Sequence, residues 1–98
     1  MEALLVGADS LGNIPEVLRS YDIRIGRHIC GRNVAHQRRA PLPGRPDLLI
    51  LLTDFLGHNV MRHYRDRAAA QGIPVLACRR SATAVEQRLR RQGWRPLS

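Results

Sequence analysis

The sequence predicts an α/β domain: a mostly parallel, four-stranded sheet in the order 2-1-3-4, with helices on both faces in three layers. Three observations predict it. Residues 3–7 and 47–52 are near-continuous apolar runs of strand length, the pattern of strands covered on both faces. Apolar residues elsewhere recur at helical spacing, and strands alternating with helices imply parallel pairing through right-handed crossovers. The chain has 98 residues, enough for one domain and too few for two, so residues 1–98 are read as a single unit.

The first strand, 3–7, runs into a turn-rich loop over 8–13. A short helix over 14–21 follows, with Asn13 placed to cap it, Pro15 tolerable in its first turn, and Ile14, Val17, Leu18 and Tyr21 on one face. Residues 23–31 read as a second strand with Ile23, Ile25 and Ile29 apolar; its alternation and Gly26 suggest an edge position with one wet face. Residues 32–46 hold three prolines, Gly44 and four arginines, and read as a long basic loop. The third strand, 47–52, ends in Thr53-Asp54. A helix then runs to Gln71, with Val60, Met61, Tyr64 and Ala68 inward and Gly72 as its stop. Residues 73–78 form the last strand, with Pro74 tolerated at its start. The final helix is capped by Ser81 or Thr83, buries Val85 and Leu89, and stops at Gly93, beyond which Trp94 packs back on the body. The connection from strand 2 to strand 3 contains no evident helix, which leaves one face thinly covered and predicts a dimer or larger homo-oligomer.

Composition adds charge. The formal net charge is +8, and all sixteen basic residues are arginine. A GC-rich coding sequence and selection for function account for this equally well. Either way, guanidinium forks suit phosphate and carboxylate, and lysine-dependent chemistry is excluded. Residues 24–46 hold six arginines and no acid, and 77–98 hold six against one Glu. Such segments point to a polyanionic partner, or else to a solvated surface. Against nucleic acid stands a shortage of rings, because Tyr21, Phe55, Tyr64 and Trp94 are the whole aromatic complement and single-strand binders stack bases on aromatics. The first residues lack the basic region of a signal peptide, the longest apolar run is far below a membrane span, and Cys30 and Cys78 form no CxxC motif. A cytoplasmic protein with reduced thiols is expected, with no membrane partner.

A doubly wound sheet cut short at four strands has its topological switch point between strands 1 and 3, where ligands bind at the carboxyl ends. The loop holding Asp9, Ser10, Gly12 and Asn13 follows a strand and opens a helix, a setting for phosphate binding by backbone amides. It lacks the ending of a P-loop and the second glycine of a dinucleotide fingerprint, so a plain strand-to-helix turn is the alternative. Thr53, Asp54, His58 and Asn59 bracket the next helix start, where Asp54 could serve as an N-cap only. Asp9 and Asp54 at adjacent strand ends also suit a phospho-acceptor site, but the chain has no lysine and no fifth strand. Arg79, Arg80 and Ser81 set two guanidinium groups and a hydroxyl at a strand end, suited to an oxyanion or to a solvated basic turn. The histidines and cysteines show no recognised zinc spacing, and no catalytic triad order stands out. No metal, cofactor or catalytic residue is therefore assigned.

Val6-Gly7-Ala8-Asp9 with Gly12-Asn13-Ile14, Leu51-Leu52-Thr53-Asp54, His58-Asn59-Val60-Met61, Gly72-Ile73-Pro74 and Arg79-Arg80-Ser81 together resemble the bacterial family catalogued as domain of unknown function 2325. The resemblance covers nearly the whole chain, and Thr-Asp followed by His-Asn is its most specific part. It implies a small Rossmann-like, flavodoxin-like domain. It also implies that Asp9, Asn13, Thr53, Asp54, His58, Asn59, Arg80 and Ser81 lie on family motif positions. Arg62, Arg65 and Arg67 stand where lysines are expected in relatives. The family carries no settled activity.

The function expected is a non-enzymatic binding module for phosphate-bearing ligands, nucleic acid first and single strands favoured. Arg32, Arg38, Arg39, Arg62, Arg65, Arg88, Arg90 and Arg91 are the candidate contacts. A sensor or accessory domain binding a small nucleotide at the switch point is the alternative, and a structural homo-oligomer without ligand is the third.

Overall fold

In the computed structural model, which describes residues 1–30, 42 and 44–97, the elements follow the expected order. They are β1 (Glu2–Val6), α1 (Ile14–Ser20), β2 (Arg24–Ile29), β3 (Leu48–Leu52), a 3-10 turn (Thr53–Phe55), α2 (His58–Gln71), β4 (Val75–Cys78) and α3 (Ala82–Arg91). The sheet order is β2-β1-β3-β4, and all three pairings are parallel. The fold is thus a small α/β domain of Rossmann-like, flavodoxin-like type. Among the described residues no helix is long and apolar enough to cross a membrane.

The central strands are apolar on both faces because both faces are covered. Ala3, Leu5, Leu48, Ile50 and Leu52 meet Ile14 and Leu18 of α1 and Val85 and Leu89 of α3. Leu4, Val6, Leu49 and Leu51 meet Tyr64 and Ala68 of α2. These two clusters define the three layers, and α1 and α2 fall on opposite faces as right-handed crossovers in opposite directions require. Every residue of β3 is buried, which is why its sequence lacks alternation.

Gly26 explains the odd pattern of β2. The register runs Ala3 to Ile25 and then Leu4 to Arg27, so Gly26 is left without a partner in a bulge. That extra residue flips the alternation. Ile25 packs with the α1/α3 cluster, while Ile29 packs with the α2 cluster. β2 is an edge strand, as Gly26 suggested, but its apolar residues serve both faces rather than one.

Both long helices end as their glycines imply. Gly72 has φ +69, with Gly72 N–H donating to Ala69 O (3.2 Å) and Ile73 N–H to Ala68 O (2.8 Å). Gly93 has φ +90, with Gly93 N–H donating to Arg90 O (3.1 Å) and Trp94 N–H to Leu89 O (3.0 Å). This paired pattern satisfies the last carbonyls of each helix, and Trp94 packs against the core as expected. At the helix starts, the Ser81 hydroxyl accepts from Ala84 N–H at 2.9 Å, which decides between the two candidate caps of α3. Asn13 occupies the cap position of α1 but its side chain makes no capping bond; its carbonyl accepts from Val17 N–H. Nor is Asp54 the cap of α2, a position held by Gly57.

Among the described residues of the long connection, Leu42 and Pro46 are buried, and Leu42 joins the core. It is 3% exposed, packs with Leu4, Leu49 and Tyr64, and its N–H donates to Gln71 Oε1 at 2.8 Å. The core on the α2 face thus includes a residue that no helical pattern announces.

Candidate functional site

The carboxyl ends of β1, β3 and β4 gather three loops. The first is shaped by backbone constraint. Gly7 has φ +113 and Ala8 has φ +63, a region that L-residues with a Cβ rarely adopt. A Cβ on Gly7 would lie 2.9 Å from Leu52 O and 3.0 Å from Leu52 Cβ. Glycine is required here because the end of β1 approaches the end of β3 too closely for any side chain. The turn is held from the other side by His28, whose Nε2 lies 3.0 Å from Gly7 O and 2.8 Å from Ala8 O. Both carbonyls only accept, so these are hydrogen bonds when Nε2 carries its proton. Sequence reasoning considered the histidines only for zinc spacing and missed this role of His28. The bulge at Gly26 was the available signal, since it sets the register that pairs His28 with Leu5.

Arg80 ties the three loops together. Its backbone N–H donates to Asp54 Oδ1 at 2.9 Å. Its side-chain Nε donates to Ser10 O, and Nη2 lies 3.3 Å from Ser10 Oγ. A Cβ on Gly12 would sit 3.5 Å from the same Nη2. Ser10, Gly12, Asp54 and Arg80 are thus brought together as the switch-point reading expected. Their polar groups, however, answer one another: Arg80 works as a strap across the site.

The other residues distribute differently. Thr53 is half-buried in the 3-10 turn, and Asp9, Asn13, His58 and Asn59 are exposed around the same end of the sheet. Ser81 is occupied as the α3 cap. Arg79 turns toward a separate shallow groove of about 160 Å³ between β4 and α3, lined by Cys78, Arg79, Ala84, Gln87, Arg88 and Arg91. Residues 84, 87, 88 and 91 share one face of α3, since they are spaced by three and four. Burial pushes the Cys78 thiol up to about 11, against the pull of the Arg88 guanidinium and with the push of Asp54. The thiol is therefore protonated at neutral pH and is no nucleophile there.

The proposed arginine contacts also separate. Arg88 and Arg91 line this groove. Arg90 faces Glu86 at 3.7 Å, and Glu86 also accepts from Tyr21 Oη at 3.2 Å. Arg62 and Arg65 are exposed on α2, across the sheet from α3. Arg32, Arg38 and Arg39 lie outside the described residues. Among the described residues, no three His, Cys, Asp or Glu side chains gather as metal ligands would.

A family model described as an uncharacterized protein conserved in bacteria, domain of unknown function 2325, matches residues 2–92. The chain belongs to this family. No curated protein and no solved structure matches it.

Proposed function

We propose that this family member is a non-enzymatic module that binds phosphate-bearing polymers, nucleic acid first and single strands in preference. The observation that carries the reading is the groove beside β4. Arg79, Arg88 and Arg91 line it, and none of the three has an ion pair among the described residues, in contrast to Arg24 with Glu2 and Arg90 with Glu86. Gln87 adds a neutral donor. Three unneutralised forks on one edge suit phosphodiester oxygens, and binding of this kind is driven by counterion release. A cytoplasmic setting belongs to the same reading.

Fluorescence anisotropy with labelled single- and double-stranded DNA and RNA tests it. Complexes should form at low salt and weaken steeply as salt rises. For three single-strand phosphate contacts, log Kobs against log salt should have a slope near about −2. Replacing Arg79, Arg88 and Arg91 by Ala should flatten that slope, whereas replacing Arg62 and Arg65 should leave most of it. Absence of any complex at low salt overturns the reading.

A second reading, a small nucleotide or other anion held at the switch point, draws on one observation. Ala8, which carries a Cβ, takes a costly left-handed conformation (φ +63) at the end of β1, and strain of that kind gathers at ligand sites. A saturable thermal shift with a mononucleotide panel that survives moderate salt would favour it. The third reading, self-assembly, has the edge strands β2 and β4 as pairing surfaces, and light scattering reads the mass.

A further inference from the structure

Phe55 is 54% exposed, and its position is more telling than its exposure. The other three aromatic side chains are taken up by the fold: Tyr21 and Tyr64 are buried, and Trp94 packs against the core. Exposed large apolar side chains elsewhere among the described residues are Met1 and Leu97, near the two ends. Phe55 instead sits mid-chain at the carboxyl end of the sheet. Leu52 is fully buried, Leu56 packs into the α2 cluster, and the one-turn 3-10 segment between them sets Phe55 outward.

That segment is held on both sides. Leu56 N–H donates to Thr53 O at 3.4 Å, and Asp54 Oδ1 accepts from Arg80 N–H at 2.9 Å. The backbone that carries Phe55 is thus held one residue from the link to the β4–α3 loop. Leu52 pairs with Cys78 in the sheet, so Phe55 lies three residues beyond one strand end and Arg79 one residue beyond its neighbour. Strand spacing and 3-10 rise put the two backbones within roughly 10 Å of each other.

We propose that Phe55 is a stacking platform for an unpaired nucleobase whose flanking phosphates lie on Arg79 and the α3 groove. The proposal rests on the polyanion reading above and adds what charge alone cannot supply, a reason for single strands to win over duplexes. An exposed aromatic residue on the loop next to an arginine-lined groove matches the chemistry of a nucleotide, a π-face joined to an anion. Every base offers such a face, so recognition is tolerant of sequence. In a duplex the faces are stacked on one another and closed to the ring.

The test compares a thymine oligodeoxynucleotide with an abasic strand of equal length, which keeps the phosphates and removes the bases. The wild-type chain should bind the thymine strand roughly tenfold to a hundredfold more tightly, the usual worth of one stacked base. Phe55→Ala should lower thymine-strand affinity to the abasic level and leave abasic affinity unchanged, with circular dichroism showing an intact fold. Phe55→Trp should restore the preference and show quenched fluorescence on binding. Equal wild-type affinity for the two strands overturns the proposal while the polyanion reading stands. Failure to bind either strand overturns both. If Phe55→Ala instead turns an oligomer into a monomer without changing the strand preference, the ring is a contact between copies and the proposal falls.

Discussion

Gly7→Ala is the sharpest test of how the sheet end is built. The substitution adds one methyl group in a backbone conformation, φ +113, that residues with a Cβ avoid. That strain costs about 1–3 kcal/mol. The added carbon would also lie 2.9 Å from Leu52 O, 3.0 Å from Leu52 Cβ and 3.4 Å from Leu56 Cγ. The first two are atoms of a buried central strand, so relief requires β1 and β3 to part, an overpacking penalty of about 1–3 kcal/mol. Reduced freedom of the unfolded chain returns about 0.4–1 kcal/mol. The expected net loss is about 1–6 kcal/mol, to be set against the ~5–15 kcal/mol that holds a domain together. At ~4–8 °C per kcal/mol for a domain of this size, a mid-range loss of about 3 kcal/mol lowers the midpoint by about 12–24 °C. Gly72→Ala is the matched control. Gly72 also has positive φ, +69, but a Cβ added there would meet nothing within 4 Å, so only a backbone cost of about 1–2 kcal/mol applies. Thermal and urea unfolding followed by circular dichroism compare the two. A Gly7→Ala protein no less stable than Gly72→Ala would refute the close approach of the β1 and β3 ends.

Other outcomes follow from single contacts. Ser81→Ala should lose about 1 kcal/mol in urea unfolding, because Ala84 N–H loses its cap. Asp54→Ala should cost about 1 kcal/mol by removing the acceptor for Arg80 N–H, and Asp54→Asn, which keeps an acceptor oxygen, should recover much of it. The Cys78 thiol, pushed up to about 11 from an ordinary 9.0, keeps its stabilising contribution in full below pH 9 and loses it as pH rises toward 11. Urea midpoints should therefore begin to fall between about pH 9 and 10 in wild type and fall less in Cys78→Ala; Tyr64, also raised from 10.0 by burial, adds its slope only above that range. Alkylation of the native protein at neutral pH should mark the exposed Cys30 before the buried Cys78.

The backbone plan was legible because local chemistry and burial agree along most of the chain. Residues 48–52 are apolar at every position, a run whose length suits a strand covered on both faces. The final helix likewise carried its stop in Gly93 and its start in one of two caps, Ser81 or Thr83, of which the structure uses Ser81. Its inward Val85 and Leu89 needed no tertiary information. The site was legible by position more than by partnership. The switch-point loops were expected to meet, and Ser10, Gly12, Asp54 and Arg80 do. That Arg80 would be engaged by Ser10 and Asp54 while Arg79 faces a different groove depends on a turn of two residues, and no periodicity distinguishes adjacent arginines.

Local sequence is enough to place a strand, a helix end or a turn, because each is decided by the chain's own dihedral limits and the period of its apolar side chains. It does not decide which residues from distant segments share a surface. His28 reaches Gly7 and Ala8 because one unpaired glycine shifts the register of β2. Leu42 joins the core through residues of β1 and α2 that lie far from it in sequence. Phe55 stays outside because Leu52 and Leu56 on either side of it are drawn inward. In each case the outcome is set by which strand ends lie side by side and which volume is still empty, and both are properties of the assembled layers.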